Sequence, residues 1–293
     1  MFLKTHATSD EKIAIITDTC CDVPASCSDS HPVYIVPLAI NYPDRSYRDR
    51  VDITPAQVYA RMPEEIPSTS TPTPAVVHQM FDRVLKDGFT HVLCVTISSG
   101  LSATFNLFRS VAASYPDLTV KLVDTKSIGI GAGIAVVRAT ELIDQGLPLE
   151  KIVRELSRCV ANTHVFFVTD TLEYLYKGGR INKAVYSMGS VLNLRPIITC
   201  DEEGKYVVCA KARGRKKSIA KSVELAQACV MPNRPYRVAI AQGDAEKEAA
   251  DLLHRAPEYF PNAEVIMNGH DISPALVVHT GPGLLGIVVQ TIG

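Results

Sequence analysis

The sequence predicts an α/β protein of two domains: an N-terminal parallel α/β/α sandwich, then an α+β domain built on a mixed sheet. Three observations predict it. Between Ile13 and Ala161, short runs rich in β-branched residues alternate with stretches whose apolar residues recur at helical spacing, which is the pattern of parallel βαβ units. After about Asn162 that alternation breaks, and two apolar runs flank Asp201-Glu202-Glu203-Gly204-Lys205 as the arms of a hairpin. The chain has 293 residues, enough for two ordinary domains, placed at 12–161 and 162–293.

Taken in order, Ile13 to Thr17 reads as a buried strand with an acidic end at Asp18-Thr19. Val33 to Ile40 is a second strand, interrupted by Pro37, so a sheet edge or a bulge is expected there. Thr54-Pro55 opens a short helix with threonine as N-cap and proline in the first position, ending by Pro63. Prolines 63, 67, 72 and 74 make Ser68 to Pro74 a stiff extended loop lined with hydroxyls. Thr73-Pro74 starts the next helix, which carries Val76, Val77, Met80, Phe81, Val84 and Leu85 on one face and stops at Asp87-Gly88. The strand His91–Ile97 follows, then a helix to Tyr115, a strand over Val120–Val123, and two helices, from about Ala132 to Gln145 and from Pro148.

In the second half, Val165–Val168 is a strand and Thr171–Tyr176 a short helix ended by Lys177-Gly178-Gly179-Arg180. Ile181, Val185, Met188, Val191 and Leu192 form the apolar face of another helix. Pro196–Cys200 and Tyr206–Ala210 are the hairpin arms, and a helix spans about Lys216 to Val230. Val238–Ala241, Val265–Met267, Leu276–His279 and Leu284–Gln290 are the remaining apolar runs, with a helix between the first two.

Composition narrows the function. At 46% hydrophobic and 21% charged, the chain reads as globular with ample core, and a net charge of −1 argues against a general nucleic-acid coat. No apolar run is long enough to span a bilayer, and Met1 to Glu11 lacks the apolar core of a signal peptide, so a cytoplasmic protein is expected. Of eight cysteines, Cys94, Cys159, Cys200, Cys209 and Cys229 lie in apolar or helical contexts and read as small buried hydrophobes. Cys20, Cys21 and Cys27 cluster, but there is no C-x-x-C pair, so reduced thiols and no metal are expected.

The stretch with most chemical content is Ser98-Ser99-Gly100-Leu101-Ser102-Ala103-Thr104. It joins the end of a strand to the start of a helix, where Ser102 is positioned to cap. Read alone, the stretch is either an ordinary capped turn or, through its free N–H groups and the positive helix end, an anion site without a charged side chain. His279 precedes Thr280-Gly281-Pro282-Gly283, a turn where backbone comes close; it reads as a site residue or as a satisfied core histidine. Gly178-Gly179-Arg180 fits a plain helix stop equally well, and Lys211 to Lys217 fits a solvated basic face or a nucleic-acid patch.

These residues carry a resemblance. From Lys12 onward the chain resembles the DegV family of bacterial fatty-acid-binding proteins. Ile16-Thr17-Asp18-Thr19 resembles the family's opening strand, and Thr69-Ser70-Thr71-Pro72 its Thr-Ser-Gln-Pro. Ser98 to Thr104 resembles Ser-Ser-x-Leu-Ser-Gly-Thr. Lys177-Gly178-Gly179-Arg180-Ile181, Arg213-Gly214-Arg215-Lys216-Lys217 and His279-Thr280-Gly281-Pro282-Gly283 are similar to three further signatures. The departures are Thr71 for glutamine, Ala103 for glycine and Cys20-Cys21 for smaller residues.

The resemblance implies a lipid tunnel between the two domains, holding a long-chain fatty acid, and no cofactor. It implies a carrier with no catalysis of its own, which presents the carboxylate to a separate fatty acid kinase subunit for conversion to acyl phosphate, in the service of phospholipid synthesis. Carboxylate contacts are implied for Thr69, Ser70, Ser98, Ser99, Gly100, Ser102, His279 and Thr280, and kinase docking for Arg180, Arg213 and Arg215. Nucleic acid is not an expected partner, and membrane contact would be transient. The physical reading agrees: hydroxyls and helix N–H groups suit a buried carboxylate. At roughly 0.8 kcal/mol per buried methylene, a tail of about fourteen carbons grosses on the order of 10 kcal/mol, reduced by ordering costs. The alternative is a serine hydrolase with Ser98 or Ser102 as nucleophile, His279 as base and Asp18 or Asp124 as orienter. The nucleophile-elbow spacing is absent at both serines, as are Gly-x-Gly-x-x-Gly and a P-loop lysine for nucleotide binding.

Overall fold

The structure is a computed structural model that describes residues 11–62, 64–189 and 193–292. In the first half the elements run β1 (Ile13–Asp18), α1 (Ala25–Ser28), β2 (Val33–Val36), β3 (Ala39–Asn41), β4 (Ser46–Arg48), α2 (Pro55–Arg61) and β5 (Ser68–Ser70). They continue as α3 (Pro74–Lys86), β6 (His91–Thr96), α4 (Thr104–Ala112), β7 (Thr119–Asp124), α5 (Ile130–Asp144) and α6 (Leu149–Ala161). In the second half come β8 (Thr163–Val168), α7 (Glu173–Lys177), α8 (Lys183–Gly189), β9 (Leu194–Cys200), β10 (Tyr206–Arg213) and α9 (Arg215–Ala228). The last elements are β11 (Tyr236–Gly243), α10 (Glu246–Tyr259), β12 (Val265–Asp271), α11 (Pro274–Thr280) and β13 (Leu284–Thr291). Pro63, Val191, Leu192 and the polar residues before Glu11 lie outside the described residues.

Four strands make an all-parallel sheet in the order β2-β1-β6-β7. Strand side chains alternate between faces. Ala14 and Ile16 therefore pack with Val77, Phe81 and Phe108 of α3 and α4, while Ile13 and Ile15 pack with Ala135, Leu142 and Ile152 of α5 and α6. The helix starts are those the sequence signals: Thr54 and Gln57 form a reciprocal capping box on α2, and Thr73 accepts the Val76 N–H on α3.

The strand that Pro37 interrupts lies at a sheet edge, as expected: β2 is the outer strand of the parallel sheet and pairs with β1 alone. The chain leaves the parallel sheet after Val36 and enters a separate three-stranded antiparallel sheet, order β4-β3-β5. The hydroxyl-lined segment expected as a loop supplies one of its strands, with Thr69 paired to Ile40 and Ser70 to Ala39.

The second sheet is mixed, order β10-β9-β8-β13-β11-β12, with β11 and β12 parallel and the other pairs antiparallel. β13 lies inside it and all eight of its residues are buried. α9 and α10 cover one face. The other face meets α5, whose buried residues include Ile130, Ala132, Ile134, Val136 and Leu142. A helix apolar on nearly every side belongs between two layers, and α5 lies between the two large sheets. Leu276–His279, a strand-like run in the sequence, is helical: Ser273 caps α11 and Pro274 takes its first position. All eight cysteines are free; Cys94 and Cys159 are buried as expected, Cys200 and Cys229 are half-buried, and Cys209 is exposed on β10.

Candidate functional site

In an open parallel sheet, ligands bind beyond the carboxyl ends of the strands, where the strand order reverses. Here that point lies between β1 and β6. The fully buried Asp18 at the end of β1 ties the two strand ends together, accepting from the backbone N–H groups of Cys20 and Ile97, each at 3.0 Å. Desolvation pushes its carboxyl up to about 7, against the lowering pull of those two bonds.

A cavity of about 270 Å³ opens at this point. Its polar lining is Thr69 and Ser70 from β5, Ser102 from the loop after β6, Arg180 after α7 and His279 from α11. Its apolar lining includes Leu38, Ile97, Leu101, Ile128, Tyr206 and Leu276. Ser70 and Ala103 are exposed, so the cavity reaches solvent beside β5 and the loop before α4. A second, smaller cavity of about 40 Å³ shares Ile128, Tyr206 and Leu276 with the first and is otherwise lined by groups such as Ile130, Phe167, Ala241 and Val288.

His279 Nε2 lies 2.7 Å from Thr69 Oγ1, while Nδ1 is buried without a partner. Burial, and then the positive charge of Arg180, push the His279 pKa down to about 3, so the ring is neutral at ordinary pH. A neutral ring that carries its proton on Nε2 donates to Thr69 Oγ1, leaving the threonine O–H to point at a ligand. Arg180 donates from Nη1 to the Gly178 carbonyl at 2.6 Å, and desolvation lowers its pKa. The anion site therefore holds a guanidinium, where hydroxyls and N–H groups alone were expected.

The two glycines before Arg180 have separate reasons. A Cβ on Gly178 would lie 2.1 Å from His279 Nδ1, so only glycine lets α7 approach the ring. Gly179 has φ +72° with open space around it, the left-handed residue that ends the helix. Two adjacent glycines where one suffices to stop a helix were the available sign that this turn packs closely on something.

The remaining predicted carboxylate residues go elsewhere. Ser98 is buried; its Oγ donates to the Gly204 carbonyl at 2.8 Å and accepts from the Gly100 N–H at 3.0 Å. These two residues lock the loop onto the β9–β10 hairpin. Ser99 turns to the other side, donating its N–H to Asp124 and accepting from Lys126 Nζ. Thr280 Oγ1 donates to the Leu276 carbonyl, and the residue lines the second cavity. Ala103, not Ser102, is the residue before α4; Ser102 Oγ accepts the Thr104 N–H at 3.3 Å and contacts Thr104 Oγ1 at 2.9 Å.

Among the basic residues, Arg213 is exposed. Arg215 is held within the protein by Glu248, Asp170 and the Gly283 carbonyl. Arg180 faces the cavity rather than an outer surface. Nor do these residues form a hydrolase triad: His279 Nε2 meets Thr69 and its Nδ1 has no partner, Ser98 donates to a carbonyl, Ser102 meets Thr104, Asp18 accepts from Cys20 and Ile97, and Asp124 is engaged by Ser99 and Lys126. Cys20 lines the cavity, but burial raises its thiol pKa well above the ordinary value, which suits packing and not attack. Among the described residues no group of three or more His, Cys, Asp or Glu is disposed to hold a metal ion, and no helix is long and apolar enough to cross a membrane.

A sequence profile described as "Uncharacterised protein, DegV family" matches residues 12–291. The chain belongs to the DegV family. A DegV domain-containing protein of Clostridium perfringens is 38% identical over 280 residues, 96% of this chain and 99% of that one. Two solved DegV structures are similar throughout. One, described as fatty acid binding, is from Thermus thermophilus: 31% identity, TM-score 0.88, covering 96% of this chain and all of that one. The other, DegV of Bacillus subtilis, is described as a fatty acid binding protein: 26% identity, TM-score 0.86, covering 96% of this chain and 99% of that one. The parallel sheet followed by a mixed sheet is thus the DegV architecture, and the cavity of this DegV chain lies where the two meet.

Proposed function

We propose that this DegV chain binds a long-chain fatty acid, with its carboxylate at the opening beside β5 and its tail running inward past Tyr206. The observation that carries this reading is the mixed lining of the cavity: hydroxyls, a guanidinium and a neutral histidine together with apolar side chains, and an apolar second cavity that shares three of its residues. A carboxylate removed from water needs donors that outlast desolvation, and Thr69, Ser70, Ser102 and Arg180 supply them. The fatty-acid-binding DegV proteins of Thermus thermophilus and Bacillus subtilis support the same ligand class.

In this reading the chain is a carrier without cofactor or catalysis of its own. It holds the carboxylate at the mouth for a separate kinase subunit, which phosphorylates it to an acyl phosphate. The opening beside β5 favours hand-over, because the reacting group faces outward while the tail stays buried.

Organic extraction and mass spectrometry of freshly purified protein test the ligand: one fatty acid per chain is expected. Empty protein that also fails to bind added palmitate or oleate overturns the reading. For hand-over, acyl phosphate and ADP should form from fatty acid and ATP with a fatty acid kinase catalytic subunit only when this chain is added.

A further inference from the structure

The second apolar cavity adjoins an open groove of about 670 Å³, bordered by β7, α6 and β8, with Ser127, Val160 and His164 among its walls. Among the described residues, Val165 is the one that lines both the inner cavity and the groove. It is buried on β8, opposite Val288 in the ladder. Its other side faces the first turn of α5, where a Cβ built on Gly131 would lie 3.6 Å from Val165 Cβ and 2.4 Å from Ser127 Oγ. Val165 is therefore the side chain common to both walls, and the α5 side facing it carries no side chain at Gly131.

Resting on the fatty-acid reading above, we propose that Val165 is the stop that sets the longest acyl chain the protein accommodates. The tail passes Ile128, Tyr206 and Leu276, fills the inner cavity and ends against the Val165 side chain. A longer tail meets the valine methyls instead of the groove. Each methylene that finds apolar surface gains about fourfold in affinity, and a methylene that meets the stop gains nothing or loses affinity through overpacking.

The test is the affinity of saturated acids of increasing length for the wild type, V165A and V165I, by calorimetry on delipidated protein. For the wild type, affinity should climb by about fourfold per methylene and then stop climbing at one length. V165A should continue the climb by one or more further methylenes, and V165I should stop earlier. Melting curves check that each variant folds; should V165A fail to fold, the shortened profile of V165I decides. A V165A or V165I profile that breaks at the wild-type length overturns the proposal while leaving fatty-acid binding intact. Wild-type protein that binds no acid of any length overturns the underlying reading instead.

Discussion

Replacing Gly178 with alanine tests how the histidine is held. The new Cβ falls 2.1 Å from His279 Nδ1, 2.9 Å from Cε1 and 3.0 Å from the Tyr174 carbonyl. The ring is buried and must shift by on the order of 1 Å, away from α7 and towards the cavity it lines. Retreat breaks the 2.7 Å contact with Thr69, a net loss of about 1 kcal/mol, and overpacking adds roughly 1–3 kcal/mol. Thr69 then loses the ring that fixes its hydroxyl, so a hydrogen bond from it to a carboxylate is weakened, a tenfold or larger fall in affinity for about 1.5 kcal/mol. Gly179→Ala is the control. With φ +72° and nothing nearby, it costs roughly 1–2 kcal/mol of stability through the backbone and leaves the ring alone. Urea unfolding gives the stability of each variant, and calorimetry with palmitate its affinity. Gly178→Ala should lose both, Gly179→Ala stability only. Unchanged affinity in Gly178→Ala, or an equal loss in the two, would refute the reasoning.

Three further outcomes are expected. Arg180→Gln should weaken palmitate binding at least tenfold, because a charge-assisted bond contributes about 1.5–3 kcal/mol, while its melting temperature holds or rises as a half-buried charge is removed. Ser98→Ala should lower urea stability by roughly 1–3 kcal/mol, since it leaves the Gly204 carbonyl and Gly100 N–H without their partner; intact stability would mean the hairpin lock is unimportant. Burial holds Asp18 near 7, Asp22 near 7 and Asp49 near 6, above the unfolded aspartate value of about 3.9, so the folded chain keeps protons that the unfolded chain releases. Their contribution is complete below about pH 4 and is lost as pH rises through 6 to 7. Asp18→Asn should flatten the pH slope of stability across that window, whatever it costs at fixed pH, and an unaltered slope would exclude Asp18 as its source.

What the sequence made legible follows from the range over which its signals act. Capping boxes, proline starts and alternating apolar runs are local, so α2, α3 and the parallel strands could be read directly. Pro37 was visible as an interruption, but a transfer to another sheet depends on what Ala39 pairs with, and that partner is near residue 70. α11 was obscured because Leu276-Val277-Val278 has strand-like composition; the Ser273-Pro274 start was the better guide. The Ser98–Thr104 stretch stood out as a strand-to-helix turn. Which hydroxyl faces the cavity depends on the hairpin packed on the far side, around Gly204, more than a hundred residues away. The resemblance implies kinase docking for Arg180, and the glycines before it read as a helix stop; its place in the cavity lining depends on the packing of α7 against α11, a contact about a hundred residues apart in sequence.

The two cavities share three wall residues and otherwise draw on different parts of the chain. In the fatty-acid reading proposed above, head-group recognition rests on β5, the loop after β6, the turn after α7 and α11, whereas the inner chamber is walled largely by β8, β11, β13 and the start of α5. Substitutions in those strands can therefore drift without disturbing Thr69, Arg180 or the face of His279. After gene duplication, two copies could diverge in the lipids they collect while each still offers its carboxylate in the same way. Selection can tune one property at a time.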